Sequence, residues 1–277
     1  MRISHHIGFN SSRCPELSEL LDKYNVAYER AAFITSFDLY EDSDAYAQLL
    51  PYIKARTCSD IADAVFSEAE MEKAAWYTVR CKWRRGYPMP DNDNSYLGVT
   101  YGLQAPYNGC RCKAEQCAPF QMQSAPHWGT RSFLMLNWVE DELFVSDSCA
   151  AILSKAGLEG FALWPVKNKN GRQTLQNIQQ LKIRAAAPAG LDLEQTPVKQ
   201  IGICRSCQSP IYLVPTQPLV FSESSIRAIQ GDIAKTAELF GAAYGRKKIL
   251  ISRKFYEVII QNGLERNLKI EPVLIKQ

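Results

Sequence analysis

The sequence has few of the residues and motifs on which catalysis usually depends. It contains only three histidines, His5, His6 and His127, and none lies in a recognisable catalytic or metal-binding motif. The G-x-S-x-G, P-loop and G-x-G-x-x-G motifs, which position a nucleophile or hold a phosphate, are absent. We therefore expect a protein that is not an enzyme and has no small-molecule substrate.

The chain also lacks a strong charge imbalance and a long apolar run. Lys and Arg total 32 and Asp and Glu total 29, so the formal net charge is only +3. Such a balance does not favour nucleic acid or an anionic membrane as a partner. No stretch approaches the roughly 20 apolar residues of a membrane span, and the first residues lack the apolar core of a signal peptide. We expect a cytoplasmic protein with no membrane partner.

Helical patterns dominate our interpretation of the first hundred residues. Apolar residues recur at helical spacing from Ser12, and Ser67 with Glu70 forms a capping arrangement that predicts a helix from 67 to about 85. Residues 86–109 are rich in Gly, Pro, Asn and Asp, which is typical of an ordered loop. We accordingly divide the chain into a mainly helical region, 1–105, and a second region, 106–277.

The second region contains an internal repeat. Residues 143–166 and 249–273 align at an offset of 106, with matching serine, Gly-Leu-Glu and, after one insertion, Pro-Val positions. Each copy predicts a strand, a helix capped by Ser146 or Ser252 and ended by Gly157 or Gly263, and a second strand. The expected fold is α+β, with a helical N-terminal part followed by two repeated units of cysteine knuckle and strand–helix–strand, at about 110–166 and 204–273.

A cysteine cluster precedes each copy of the repeat. Cys110, Cys112 and Cys117 precede the first, and Cys204 and Cys207, a C-x-x-C pair, precede the second. Two such clusters can supply four thiolates to a tetrahedral zinc ion, and we take Cys112, Cys117, Cys204 and Cys207 as the candidate ligands. Unligated thiols or a redox pair are the alternatives.

The remaining cysteines are expected to be buried. Cys14, Cys58 and Cys81 lie in or beside predicted helices without a partner at ligand spacing, and Cys149 shares a helix face with apolar residues. We therefore assign them to the core.

The order of these features resembles that of the double-CxxCG proteins, which are bacterial immunity proteins of polymorphic toxin systems. The resemblance covers about residues 110–277 and is best in the second copy, from CRSC at 204–207 to the Pro-Val pair at 272–273. Gln208 departs from the pattern, because it replaces the glycine expected after the second knuckle, and the first knuckle is rearranged. The resemblance implies a protein that binds and neutralises a cognate toxin and has no catalytic residues.

The predictions of a partner-binding surface and of one competing function are based on local composition. The tyrosine-rich segment after residue 86 has the composition of a protein-binding surface, although its tyrosines can equally pack the loop onto the body. The candidate partner-binding residues are Tyr87, Asp91, Asp93, Tyr96, Tyr101 and Tyr107. The alternative function is a zinc-ribbon-like nucleic-acid-binding or regulatory protein, for which the basic and aromatic run 80–87 provides the support.

Overall fold

The protein is mostly β. The structure, a computed structural model, describes residues 1–56, 58–92, 94–103, 111–241 and 245–276. Strands account for 37% and helices for 22% of the residues that the structure describes. The chain divides into two compact units, one formed by Met1–Lys73 with Thr216–Pro218 and the other by Ala74–Pro215 with Leu219–Gln277. The expected α+β fold with a helical N-terminal part is therefore wrong.

The first unit is a four-stranded sheet with helices packed on it. Its elements are β1 (Arg2–Asn10), α1 (Pro15–Lys23), β2 (Tyr28–Ala31), β3 (Ile34–Tyr40), α2 (Asp44–Ala55), β4 (Ser59–Val65) and α3 (Glu68–Lys73). The strand order is β2-β3-β1-β4, and β1 pairs antiparallel with both neighbours. Ile7 and Phe37 of the sheet share a buried cluster with Leu17 of α1 and Leu49 of α2.

The N-terminal segment forms a strand because its side chains alternate. His5, Ile7 and Phe9 are buried, whereas their neighbours are more exposed. A histidine occupies one of the inward positions, so the two-residue period is weak in the sequence. The helix predicted from residue 12 does form, as α1.

The helix predicted over 67–85 is only partly correct. Its capping box is present, since the Glu70 amide donates to Ser67 Oγ (3.3 Å) and the Ser67 amide donates to Glu70 Oε2 (2.8 Å). However, α3 ends at Lys73 and is followed by β5 (Trp76–Cys81). This segment is rich in aromatic and β-branched residues and lies between two strands, where it pairs on both edges.

The second unit contains the repeat and the cysteine clusters. After β5 its elements are α4 (Tyr96–Tyr101), β6 (Gln121–Met122), β7 (Phe133–Leu136), β8 (Val139–Val145), α5 (Asp147–Lys155), β9 (Phe161–Asn168), β10 (Thr174–Ile183), β11 (Ala185–Ala186), β12 (Gln200–Ile203), β13 (Pro210–Tyr212), β14 (Val220–Ser222), α6 (Glu223–Arg227), β15 (Ile233–Lys235), β16 (Leu239–Phe240), β17 (Ile249–Ser252), α7 (Arg253–Gln261), a 3-10 turn (Glu265–Asn267), β18 (Leu268–Pro272) and β19 (Leu274–Lys276). The described strands form two five-stranded sheets, β6-β9-β10-β8-β7 and β11-β15-β17-β5-β18, and two smaller ones, β12-β13-β16 and β14-β19.

Both copies of the repeat fold as strand, helix and strand. In the first, β8 and β9 flank β10 and pair antiparallel with it; in the second, β17 and β18 flank β5 in the same way. The helices begin at the predicted serines, because Ser146 Oγ accepts from the Cys149 amide and Ser252 Oγ accepts from the Phe255 amide, each at 3.2 Å. Gly157 follows the first helix with a positive φ of 61°.

No helix in the described ranges has the length and apolar character that a membrane crossing requires. The structure thus offers no membrane-spanning helix within those ranges.

Candidate metal centre

The turn of a hairpin carries Cys204 and Cys207. β12 and β13 pair antiparallel on either side of this turn. The Cys204 amide donates to the carbonyl oxygen of Ser209, and the Gln208 amide donates to the carbonyl oxygen of Cys204, both at 2.8 Å. Gln208 itself adopts a left-handed φ of 58°. These backbone bonds close the knuckle on which the two thiols lie.

Cys112 completes a three-cysteine cluster with this knuckle. The sulfur atoms of Cys112, Cys204 and Cys207 all lie within 4.8 Å of one another, and those of Cys112 and Cys204 are 3.9 Å apart. All three residues are half-buried. The cluster can therefore hold a metal ion.

The sulfur spacing fits a tetrahedral thiolate site. A zinc–sulfur bond of about 2.3 Å places two tetrahedral ligands roughly 3.8 Å apart. The distance between the Cys112 and Cys204 sulfur atoms already matches this value. The other two sulfur–sulfur distances are at most 4.8 Å, so metal binding would need to shorten them by no more than about 1 Å. Thiolates are soft ligands that favour zinc over magnesium or calcium.

The fourth predicted ligand lies elsewhere. Cys117 is exposed, and its thiol donates to the Thr100 carbonyl oxygen at 3.4 Å. It does not belong to the cluster formed by the described residues. Cys110, the other cysteine of the first knuckle, lies outside the described residues.

None of the other described cysteines belongs to this cluster. Cys14, Cys81 and Cys149 are buried, and Cys58 is half-buried. Burial raises the pKa of Cys149 to about 12, and it raises the pKa of Cys81 further. Thiols with such pKa values stay protonated at neutral pH and are poor nucleophiles and ligands.

The tyrosine-rich segment is divided between surface and core. Tyr87 is exposed and stacks edge-on against Trp138, with ring centroids 4.7 Å apart, and Asp91 is exposed. Tyr96 and Tyr101 are buried in the core, where both pack against Phe120. Their side chains are therefore not accessible to a partner. Asp93 and Tyr107 lie outside the described residues.

The basic and aromatic run is largely occupied by contacts within the chain. Trp83 packs edge-on against Trp128 at 5.7 Å, and the Arg131 guanidinium lies 4.8 Å from the Trp83 ring centroid. Arg84 forms an ion pair with Glu140 at 2.7 Å. These contacts leave little free face of the Trp83 ring on which a nucleic-acid base could stack.

The cysteine-bearing hairpin exposes apolar side chains. Ile201 and Ile203 on β12, and Leu213 and Val214 after β13, are each between 42% and 52% exposed. β12 is the edge strand of its sheet, so its outer backbone groups have no strand partner in the described sheet. Exposed apolar residues next to an open strand edge are typical of a surface that binds another chain.

A charged cavity of about 440 Å³ lies beside Cys112. Arg111 pairs with the buried Asp141, and although burial disfavours both charges, each partner's charge keeps the other ionised: the pKa of Arg111 is raised and that of Asp141 is lowered. Glu142 accepts from Lys235 Nζ at 2.5 Å and from the Tyr101 hydroxyl at 3.2 Å.

Sequence reasoning missed this cavity because no local pattern marks it. Its charged residues come from five separate stretches of chain that only the folded sheets bring together. The one local signal is the acidic run Glu140–Glu142 inside a strand whose other residues are apolar. Comparisons of the chain with models of protein families and with curated proteins found no match.

Proposed function

We propose that this chain is an immunity protein that binds and neutralises a cognate bacterial toxin, and that its cysteine-bearing hairpin is the binding surface. The observation that carries the proposal is the apolar patch on β12 and after β13, next to an open strand edge. An extended segment of a partner can pair with such an edge through its backbone while its side chains cover the apolar residues. The resemblance to the double-CxxCG proteins supplies the class of partner.

We propose that zinc fixes the shape of this hairpin. Three thiolates from Cys112, Cys204 and Cys207 would tie the knuckle to a segment more than ninety residues earlier in the chain. A closed structural site needs a fourth ligand, and Cys110 is the nearest candidate in the sequence. Zinc would act by ordering the surface and would take no part in a reaction.

Toxin neutralisation tests the proposed function. The resemblance implies that the toxin gene lies beside the gene for this chain. A candidate toxin from that neighbourhood is expressed alone, with the wild-type chain, or with variants, and cell survival and binding of the purified proteins are measured. Wild type should restore survival, and Ile203→Lys should abolish binding because it places a charge on the apolar patch. Ile260→Lys, which changes an exposed apolar residue on α7, is the matched control.

The outcomes separate function from surface. If the wild-type chain neither binds nor neutralises the toxin, the immunity proposal is wrong. If it protects cells and Ile203→Lys protects equally well, the function stands and the hairpin is not the surface. Nucleic acid in the purified protein, in place of a protein partner, would favour the nucleic-acid-binding alternative.

Metal analysis tests the zinc site. We expect about one zinc per chain in wild type and none in Cys204→Ser, which should also melt at a lower temperature. Cys117→Ser is the control for a cysteine outside the cluster, and Cys110→Ser tests the fourth ligand. Wild-type protein that is fully stable and free of metal would contradict the site.

A further inference from the structure

The charged cavity beside Cys112 has more cations than its own carboxylates can pair. Six basic residues line it: Arg111, Lys113, Lys182, Arg184, Lys235 and Lys247. Three acidic residues, Glu115, Asp141 and Glu142, line the same cavity. Asp141 and Glu142 are already bound to Arg111 and Lys235. Most of the remaining positive charge is therefore uncompensated.

The unpaired cations are Lys113, Lys182, Arg184 and Lys247. Within the described part of the chain, none of them forms an ion pair with a carboxylate. The undescribed segments 104–110 and 242–244, which adjoin the cavity residues in sequence, contain no acidic residue. Glu115, the one lining carboxylate outside the ion pairs, is exposed.

Lys182 is held in place by contacts that leave its charge unneutralised. Its Nζ donates to the Gln116 carbonyl oxygen at 3.0 Å and lies 3.5 Å from the centroid of the Trp164 ring. Burial and the nearby Arg184 charge lower the pKa of Lys182, as expected for an ammonium group in an excess of positive charge. A bound anion would offset both effects by stabilising the charged form of Lys182.

We infer that this cavity is a binding site for a small multivalent oxyanion of the phosphate class, held by Lys182, Arg184 and Lys247. The volume of about 440 Å³ suits a small molecule rather than a folded segment. A guanidinium with two ammonium groups provides charge-assisted hydrogen bonds in several directions, which is what a phosphate or pyrophosphate group requires. The site is independent of the proposed immunity function, and its ligand undergoes no reaction.

Calorimetric titration with pyrophosphate tests the inference directly. Full-length protein of measured zinc content is used, because Cys112 also lines the cavity. Lys182→Gln and Arg184→Gln should each weaken pyrophosphate binding at least about tenfold, since each removes one charge-assisted contact. Lys169→Gln, an exposed lysine at the β9–β10 turn that does not line the cavity, should leave the affinity unchanged. Thermal melting of each variant without ligand verifies that it is folded.

Further titrations distinguish the sources of the phosphate group. Inorganic phosphate, ADP and a glutamate-rich peptide are compared with pyrophosphate under the same conditions. Binding of ADP much tighter than of pyrophosphate would identify a nucleotide as the ligand within the proposed class. Absence of pyrophosphate and phosphate binding at millimolar concentration, or equal affinity of Lys182→Gln and wild type, would overturn the inference. Binding of the peptide alone would also overturn it, and would assign the cavity to an acidic protein segment.

Discussion

The two copies of the strand–helix–strand unit have the same internal register. They differ in the closing strand, which is the third strand that pairs between the two strands of each copy. In the first copy, Leu181 of β10 lies opposite both Leu143 and Leu163; in the second, Val79 of β5 lies opposite both Ile249 and Ile270. The outer strands align at the positions that the sequence repeat equates. The copies are thus equivalent in three dimensions.

The difference lies in where the closing strand comes from. β10 follows β9 directly and forms a hairpin with it, whereas β5 precedes both copies in the chain. A strand–helix–strand unit leaves a gap between its two parallel strands, and a third strand must fill that gap to satisfy their backbone groups. The repeated pattern specifies two strands and a helix, while the third strand is a tertiary feature.

The largest expected difference in unfolding free energy between the two copies concerns the equivalent positions Glu142 and Lys248. Each residue comes directly before the first paired residue of its copy, Leu143 or Ile249. Glu142 accepts hydrogen bonds from Lys235 and Gln180, whereas burial lowers the pKa of Lys248 to about 8. Glu142→Gln should destabilise the protein by about 3 kcal/mol because it leaves Lys235 without its ion-pair partner. Lys248→Met should be neutral or stabilising by about 1 kcal/mol at pH 7. Urea unfolding measures both.

The sign for Lys248 depends on pH. Its folded-state pKa of about 8 lies below the ordinary value of 10.5, so between these values the unfolded chain binds more protons. Wild-type stability relative to Lys248→Met should therefore rise from pH 8 to pH 10, and the advantage of the variant should disappear. An advantage that grows with pH would contradict the buried, poorly compensated ammonium group.

The next largest effect is expected where the first copy meets β15, the strand that pairs with β17 of the second copy. Gly160, just before β9, has a φ of +96°, and a Cβ there would lie 2.5 Å from the carbonyl oxygen of Ile233. Gly160→Ala should cost about 3 kcal/mol, because it combines backbone strain with a clash against main-chain atoms. Gly157→Ala is the matched control, since that glycine also has a positive φ but a Cβ would meet nothing within 4 Å. It should cost only about 1 kcal/mol. Equal losses of unfolding free energy would show that Gly160 and Ile233 do not approach as described.

The sequence predicts the local structure of this chain well and its tertiary arrangement poorly. Ser146, Ser252 and the capping box of Ser67 could be located because a cap depends on residues within one turn of helix. The helix predicted over 67–85 is wrong at β5, although its aromatic and β-branched residues favour a strand, because the capping box favours a helix and the pairing with β17 and β18 lies outside any local window. Likewise, the sequence groups Cys112 and Cys117 with the Cys204–Cys207 knuckle, but only the fold shows that Cys112 lies in the cluster and that Cys117 lies apart from it.

A smaller difference is expected between the two helix caps. Ser146 Oγ caps α5 and contacts Ser148 Oγ, whereas Ser252 Oγ caps α7 and also donates to Asp232 Oδ1 at 2.8 Å. Ser146→Ala should cost about 1 kcal/mol for the lost cap, and Ser252→Ala about 2 kcal/mol because Asp232 also loses a donor. Chemical denaturation of both variants measures the difference. Equal costs would mean that the Asp232 contact adds nothing to the second copy.

The smallest expected effect concerns the knuckle that precedes the second copy. Gln208 has a φ of 58°, a conformation that glycine adopts without steric cost, and the resemblance to the double-CxxCG family places a glycine at this position. Gln208→Gly should relieve the strain of the left-handed backbone, but glycine also increases the entropy of the unfolded chain, so the net gain is at most about 1 kcal/mol. Because the strain is local, the gain should persist in zinc-loaded and zinc-free protein alike, as measured by unfolding with and without chelator. A gain confined to the zinc-loaded form would instead mean that Gln208 distorts the geometry of the three thiols.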